Sequence, residues 1–425
     1  MYRALVIYLF VLSFALEAKS LPKDYSVEST GSLTPPFVFA HYMLLTRPPG
    51  GDYTNDITLA RGAGIDAFAI NFGGWNVNFT EQEGYLKDFY TAAETQGFKV
   101  FISIDCTSVT DSNMVVRLTN QYANSSAQFK INGKLLLSTF QTNPPAWNWQ
   151  TDVLDKINSP VFFVPGTLSD DAAQVFSQTP GDGFFPWIHP TKTGQQEADT
   201  DNAYAVQRDA KAKVWMAAIA PWFFKRFNAD NNWSHAQDDA IFIDRWQHLL
   251  QLKPDLIEIV TWNDWGESSY VGPADTSGLS PASYWDTLDH GNFLKMTNIF
   301  IKTFKAGQTS VTVDPSDEDV FAFYRLQPAS TLGISDTLPL PLDAQYLKDD
   351  IFVVSFLTSA ANITLTTGGN VYNISGAPGV NKTAISWSLG DQSITAERSG
   401  KSFVNKNGPS IMKQLDRYNG NVVVL

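Results

Sequence analysis

Short apolar segments rich in β-branched and aromatic residues alternate with segments in which apolar residues recur at helical spacing. The strand-like segments cover residues 37–42, 65–71, 99–105, 134–140, 160–164, 183–187, 214–220 and 256–262. The clearest helical segments cover residues 52–63, 81–96, 111–123 and 236–252. Strands that alternate with helices predict a parallel sheet, and eight repeats predict a (β/α)8 barrel of the TIM type.

The pattern changes at two places. Residues 178–200 are rich in Pro, Gly and Thr, so a helix is predicted there only from Asp201. A helix over 281–305 is predicted to complete a barrel domain spanning 33–307.

Beyond Gly307 the chain has short β segments at 320–325, 351–357, 362–366, 384–388 and 421–425, with a long loop over 327–348. These segments predict a smaller C-terminal β-sandwich domain over 308–425. The domain could bind glycan or brace the barrel. Bracing is favoured because no aromatic cluster stands out in it.

Composition narrows the function classes. A chain of 425 residues with 44% hydrophobic and 17% charged residues is globular, and a net charge of −13 argues against nucleic acid and anionic membranes as partners. We expect a monomer. The single cysteine, Cys106, excludes an intramolecular disulfide, and its place beside an apolar strand favours a buried inert thiol.

The N-terminus predicts export. Residues 5–16 are apolar, follow Arg3 and precede Ala18-Lys19-Ser20, which is typical of a secretory signal peptide over 1–20. A membrane anchor is the alternative, although the segment is too short to span a bilayer. Candidate N-glycosylation sequons begin at Asn78, Asn124, Asn232, Asn362, Asn373 and Asn381. We therefore expect a secreted glycoprotein, extracellular or associated with a cell wall.

Polar and aromatic residues occupy the predicted strand ends, where active sites of parallel barrels lie. They are His41, Asn71, Asp105, Gln141, Trp187, Trp222, Asp264 and Glu267. Any one could have a structural role. Together they predict a substrate-binding rim.

The most informative segment is IEIVTWNDWGESSY, residues 257–270, in which Trp262 and Trp265 flank Asp264 and precede Glu267. Hydrolysis of a glycosidic bond needs one carboxylic acid to protonate the leaving oxygen and a second carboxylate to activate water or attack the sugar. Proximity of two carboxylates and desolvation by aromatics both raise a carboxyl pKa. The alternative is a helix start, with Asp264 as N-cap and Glu267 at the third helical position.

Other chemistries have less support in the sequence. The five His residues are dispersed without ligand spacing, and GxSxG, P-loop and GxGxxG motifs are absent, so neither a metal nor a cofactor is expected. Among the remaining carboxylates, Asp66 and Glu258 lie within or near the start of strands, which favours structural roles. Asp105 could bind sugar hydroxyls or cap the next segment.

Several of these segments resemble glycoside hydrolase family 71, the fungal endo-α-1,3-glucanases or mutanases. They are FVFAHYM (37–43), DITLARGAGIDAFAINFG (56–73), KVFISID (99–105), PWFF (221–224), NNW (231–233), RW (245–246) and IEIVTWNDWGES (257–268). The resemblance covers nearly the whole chain after the signal segment. Its most specific element is WNDWGES.

The resemblance implies a secreted barrel that hydrolyses α-1,3-glucan, a polysaccharide, with inversion at the anomeric carbon. It implies that Glu267 is the general acid and Asp264 the general base. It also implies sugar contacts from His41, Asn71, Asp105, Trp222 and Trp262. We expect Trp187, Asn263 and Trp265 to bind substrate as well. The chain departs from the family at Ile188, where an acidic residue is expected. An endo-α-mannosidase of related barrel type and an inactive wall-glycan binding protein remain alternatives.

Overall fold

The computed structural model describes residues 36–46, 53–74, 77–142, 147–178, 180–187, 194–234, 241–274 and 287–425. The predicted signal segment 1–20 and Ile188 lie outside these residues.

The N-terminal region is built on a curled, barrel-like parallel sheet. Its strands in chain order are β1 (Phe37–Met43), β2 (Ala67–Phe72), β3 (Lys99–Asp105), β4 (Lys130–Ile131), β5 (Lys134–Phe140), β6 (Val161–Val164), β7 (Gly166–Thr167), β8 (Gly183–Pro186) and β9 (Val214–Ile219). A hairpin of β10 (Phe224–Asn228) and β11 (Asn231–Ser234) follows, and β12 (Leu256–Ile259) completes the sheet. Each of the eight predicted strand segments overlaps one of these strands, so the predicted alternation is confirmed.

The sheet pairs in the order β4-β5-β3-β2-β1-β12-β9-β8-β7, and β6 pairs with β5. All these pairings are parallel except that of the short β4 with β5. Only Pro165 separates β6 from β7. Strand β6 pairs with β5, and β7 pairs with β8. The two ends of the curled sheet are therefore linked through this segment.

Alternate strand residues divide into two apolar layers, as the two-residue repeat of a strand requires. The inner layer is compact and includes Phe39, Ala69, Phe101, Met216 and Ala218. The outer layer packs strand residues such as Val38 and Ile70 against helices. Polar residues that come later in a strand, at the same alternate positions as the inner-layer residues, therefore face the same interior space.

The helices are α1 (Tyr53–Gly62), α2 (Phe79–Gln96), α3 (Ser112–Tyr122), α4 (Ala172–Gln178), α5 (Gly194–Lys211), α6 (Ile241–Leu252) and α7 (Gly291–Lys305). None of the helices in the described ranges is both long and apolar enough to cross a membrane.

Two predicted helix boundaries are wrong. Helix α5 begins at Gly194 and not at Asp201. Its buried face includes Glu197 and Asp201, which pair with the buried Arg245 of α6, so apolar periodicity is weak there. Residues 287–290 precede α7 without helical structure, because His290 is held by hydrogen bonds to the Tyr270 carbonyl and the Asn421 side chain.

The region after Gly307 contains two four-stranded antiparallel sheets. Their strands are β13 (Asp319–Tyr324), β14 (Asp350–Leu357), β15 (Ala361–Thr367), β16 (Asn370–Gly376), β17 (Gly379–Ser386), β18 (Gly390–Arg398), β19 (Lys401–Ile411) and β20 (Val423–Val424). The orders are β17-β14-β13-β20 and β16-β15-β18-β19. Residues of both sheets, among them Ile351 and Ile363, share one apolar cluster.

The first of these sheets also packs on the barrel-like region. Phe323 lies 5.7 Å from Phe293 of α7 and Phe356 lies 5.7 Å from Phe300, measured between ring centroids. The C-terminal region thus buries the face of α7 that the parallel sheet does not cover.

Candidate active site

Polar side chains form a layer above the inner apolar core, at the carboxyl ends of β1, β2, β3 and β12. His41, Asn71, Asp105 and Glu258 continue the inner alternation of their strands and are all buried. Because carboxyl ends of parallel strands meet at one face, a barrel of this kind concentrates its chemistry there.

His41 joins two of these residues. Its Nδ1 lies 2.7 Å from Glu258 Oε1 and its Nε2 lies 3.1 Å from Asn71 Oδ1. Burial raises the pKa of Glu258 and the contact with His41 opposes that rise. The structural role expected for Glu258 does not describe it fully, because its carboxylate fixes the orientation of a histidine in the site.

Trp187, Asp105 and Asn263 frame this layer. The Trp187 ring stands edge-on to His41 at 4.7 Å. Asp105 accepts hydrogen bonds from the backbone N–H and hydroxyl of Thr107, so it stabilises the turn after β3 while remaining inside the layer. The Asn263 side chain bonds both backbone groups of Met43, which ties the end of β1 to the segment carrying the acids.

The acids Asp264 and Glu267 lie at the start and end of one 3₁₀ turn, Trp265–Glu267, which follows β12 after a short connection. Asp264 precedes the turn as its N-cap, and its Oδ1 accepts the Glu267 backbone N–H at 3.0 Å. The Asp264 N–H donates to Thr261 Oγ1 at 2.7 Å. The capping role predicted as the alternative is therefore present, and it holds the Asp264 carboxylate in place.

Two effects raise the pKa of Asp264 to about 8. Desolvation is the larger and the neighbouring Glu267 charge is the second, while the Glu267 backbone N–H and Lys225 oppose them. With this pKa the Asp264 carboxyl keeps its proton near neutral pH, beside the second acid of the turn. That is the protonation state a glycosidase acid requires.

Lys225 on β10 pairs with the second acid. Its Nζ lies 3.1 Å from Glu267 Oε1, and the ammonium sits 4.5 Å from the ring centroid of Trp233 on β11. The Lys225 side chain is 13% exposed and Glu267 is 24% exposed, so this ion pair is shielded more than a surface pair. The ammonium also lowers the pKa of Asp264, but it does not offset the effect of desolvation.

Three tryptophans expected to contact sugar are buried. Trp262 packs against Phe68 at 5.1 Å in the outer layer, and the Trp222 indole N–H donates to the Gly420 carbonyl in the C-terminal region. Trp265 is fully buried within the turn that carries the acids. The structure therefore does not bring Trp222 and Trp262 to the inner layer with His41 and Asn71.

The predicted sequons differ in accessibility. Asn78, Asn124, Asn362 and Asn373 are exposed, and Asn381 is half-buried. Asn232 is buried, and its side chain bonds Arg226 and the Pro339 carbonyl. Cys106 is buried and burial raises the pKa of its thiol, in keeping with an inert thiol.

Lys225 and the inward-facing Glu258 were missed from the sequence. Glu258 could have been found by counting alternate residues back from the end of its strand. Lys225 could not, because its hairpin has no apolar periodicity that separates it from a loop. Over the described ranges, no group of three or more His, Cys, Asp or Glu side chains could hold a metal ion.

Comparison with a solved structure supports the fold. A GH99 endo-alpha-mannosidase from Bacteroides thetaiotaomicron aligns with 64% of this chain and 98% of its own, with a TM-score of 0.50 and 13% identity. At that identity the similarity concerns the fold alone, and it covers a share of the chain about the size of the barrel-like region.

Comparison of sequences gives the family. The chain is 30% identical over 406 residues to a glucan endo-1,3-alpha-glucosidase of Schizosaccharomyces pombe, covering 90% of this chain and 93% of that protein. It is 31% identical over 437 residues to a mutanase of Penicillium rubens, covering 100% and 95%. The family model described as glycosyl hydrolase family 71 matches residues 35–425. The chain therefore belongs to glycosyl hydrolase family 71.

Proposed function

We propose that this protein is a glycoside hydrolase that cleaves the α-1,3-glucosidic bonds of a polysaccharide, the α-1,3-glucan of fungal cell walls. Membership of the family and the activities named for the two relatives support the substrate class. The observation that carries the proposal is the carboxyl pair on one turn, in which Asp264 has a pKa of about 8 and Glu267 is paired with Lys225.

The reaction proposed for the pair is a single displacement with inversion. The acid donates its proton to the glycosidic oxygen as the bond from C1 breaks. The base accepts a proton from the water that attacks C1 from the opposite face. The sequence resemblance implied Glu267 as acid and Asp264 as base. The raised pKa of Asp264 favours the reverse order, with Asp264 as acid and Glu267 as base.

Substrate contacts are proposed for the inner layer. His41, Asn71, Asp105 and Trp187 would line the sugar subsite next to the acids, and Asn263 would position the turn. The curled sheet would be a closed (β/α)8 barrel, and the two C-terminal sheets a β-sandwich that braces it. A buried indole such as Trp262 would shape this pocket from behind and would not stack on a sugar.

Release of reducing ends from insoluble α-1,3-glucan tests the function. Asp264→Asn and Glu267→Gln should each lower the rate by about 10²–10⁴-fold, the contribution typical of one acid or base. Circular dichroism should show an unchanged fold. Full activity in either variant would remove the pair from the mechanism, and release from α-mannan but not α-1,3-glucan would replace the proposed substrate.

Azide can separate the two roles. A small anion replaces a missing base and gives a glycosyl azide of inverted configuration, whereas it does not replace a missing acid. If Glu267 is the base, azide should restore cleavage in Glu267→Gln and leave Asp264→Asn inactive. The opposite pattern would restore the order implied by the sequence.

Export and glycosylation are proposed from the N-terminal segment and the exposed sequons. Expression in a eukaryotic secretory host should give protein in the medium whose mass falls on treatment with an N-glycosidase. Glycopeptides should include Asn362 or Asn373 and exclude the buried Asn232. A monomer is expected by size-exclusion chromatography with light scattering.

A further inference from the structure

The hairpin formed by β10 and β11 contacts the turn that carries the acids, and Lys225 is one of the side chains that do so. Lys225 pairs with Glu267 and Phe227 lies against Gly266, so both side chains are on the face of the hairpin that contacts this turn. The intervening Arg226 points the other way. The two faces therefore contact different parts of the molecule.

Phe227 touches the turn between the two acids. A Cβ placed on Gly266 would lie 2.8 Å from Phe227 Cζ and 3.6 Å from Asp264 Oδ1. The tip of the ring therefore rests on the backbone between Asp264 and Glu267. A Cβ at position 266 would displace the ring from this place.

The same ring is open to solvent. Phe227 is 51% exposed, although it lies beside a carboxyl pair and within a chain that buries most of its aromatic side chains. The pairing of β10 with β11 shifts register between Arg226 and Asn228, so Phe227 occupies a β-bulge. Bulges occur next to active sites, where they re-aim a side chain.

The hairpin is held rigidly from its opposite face. Arg226 is 7% exposed, and its guanidinium donates to the Leu338 and Pro339 carbonyls at 2.9 and 2.7 Å and pairs with Asp336 at 3.1 Å. Leu342 also exchanges backbone hydrogen bonds with Asn232 and Ser234. The C-terminal region therefore fixes an exposed ring over the acids.

A rigid and exposed aromatic ring is the group on which the apolar C–H face of a sugar stacks, and its fixed position lowers the entropy lost on binding. We propose that Phe227 is a sugar-stacking platform for a glucose unit adjacent to the scissile bond. This inference rests on the proposed function, because it assumes that the acids act on an α-glucan. Phe227 contacts substrate and takes no part in proton transfer.

Kinetics on soluble α-1,3-gluco-oligosaccharides test the platform. Phe227→Ala should raise KM about tenfold and lower kcat less, since the stacking is present before and during the reaction. Phe227→Trp should restore a KM within about threefold of the wild type because the ring face is retained. Phe403→Ala is the matched control, a phenylalanine 37% exposed on β19, and should leave both constants unchanged.

Binding without catalysis separates this inference from the proposed function. Glu267→Gln protein, with and without Phe227→Ala, is incubated with particles of α-1,3-glucan, α-1,4-glucan, β-1,3-glucan and mannan. A platform predicts that Phe227→Ala weakens binding about tenfold to whichever glycan the parent binds. If wild-type protein cleaves α-1,3-glucan but Phe227→Ala changes neither KM nor binding, the platform is wrong while the function stands. Equal effects of Phe227→Ala and Phe403→Ala would overturn it as well.

If wild-type protein leaves α-1,3-glucan intact yet binds another glycan through Phe227, the proposed function fails and the platform stands. If wild-type protein cleaves none of the four glycans and the Glu267→Gln protein binds none of them, both proposals are overturned.

Discussion

Two carboxyl groups of this protein, one in the turn after β12 and one in the C-terminal region, have pKa values shifted in opposite directions. In the turn after β12, burial and the adjacent Glu267 raise the pKa of Asp264 to about 8. In the C-terminal region, the paired guanidinium of Arg398 and the hydroxyl and N–H of Thr358 hold the pKa of Glu318 at about 2. Glu318 thus has a full set of donors, whereas Asp264 faces a like charge.

The difference shows that Glu318 stabilises the fold, whereas Asp264 is held in an environment that disfavours its ionised form. An ion pair with two parallel hydrogen bonds contributes to stability and has no proton to give near neutral pH. A desolvated carboxyl beside another carboxylate costs stability, and it is held there by the surrounding structure. This contrast distinguishes the candidate catalytic group Asp264 from the structural acid Glu318.

The largest expected effect comes from neutralising one carboxylate in each region. Glu267→Gln should lower the rate of α-1,3-glucan hydrolysis by about 10²–10⁴-fold, because one of the two proton-transfer groups is lost. Glu318→Gln should leave the rate within about twofold of wild type, because surface substitutions away from a site have small effects. A large loss of activity in Glu318→Gln, with the fold intact, would break the comparison.

Lys225→Met is expected to have the next largest effect. Without the ammonium the pKa of Asp264 rises further, so the alkaline limb of the pH–rate profile, where the acid loses its proton, should move to higher pH. Well out on that limb the rate relative to its maximum should rise about tenfold, which corresponds to one pKa unit. Lys406→Met is the matched control, since Lys406 pairs with Asp319 at 2.9 Å away from the acids, and its profile should not move.

Asp264→Asn should stabilise the protein in a pH-dependent way. The folded pKa of about 8 exceeds the unfolded value of about 3.9, so stability contributed by the bound proton is fully present below pH 4 and lost as pH rises through 8. Asparagine does not titrate and can still accept the Glu267 N–H. The variant should therefore melt about 2 °C higher than wild type at pH 8 and show less gain at pH 4. The same gain at both pH values would contradict the raised pKa.

Glu318→Gln should have the smallest effect, with the opposite sign and pH window. The folded pKa of about 2 lies below the unfolded value of about 4.3, so its stabilisation is present above pH 4 and lost as pH falls through 2. The variant should lose about 1 kcal/mol at pH 7, because the contact with Arg398 is partly exposed. Urea unfolding at pH 7 and pH 2.5 checks this, and an undiminished difference at pH 2.5 would contradict it.

The barrel-like region was largely predictable because apolar strands and amphipathic helices carry strong periodic signals. The C-terminal strands β16, β18 and β19 were not predicted. Residues such as Asn373, Thr395 and Asn405 face outward from that sheet, so its strands read as polar segments. Their apolar partners, for example Ile394, are too few to mark a strand alone.

The candidate site was predictable as a set of strand-end residues but not as an arrangement. His41, Asn71 and Asp105 keep the inner alternation of their strands to the end. Trp262 does not, because β12 ends at Ile259 and the chain then leaves the sheet, so strand parity no longer determines where its side chain points. Lys225 and Phe227 reach the acids through a hairpin whose position depends on Arg226 and the distant loop around Pro339, a contact that no local pattern encodes.

The central claim is that Asp264 and Glu267 hydrolyse an α-1,3-glucosidic bond by single displacement. Proton NMR of the products released in the first minutes from α-1,3-gluco-oligosaccharides tests it most directly. Inversion predicts that the new reducing end appears as the β-anomer and only later equilibrates, and that Glu267→Gln releases none. Initial release of the α-anomer, or undiminished release by Glu267→Gln, would contradict the claim.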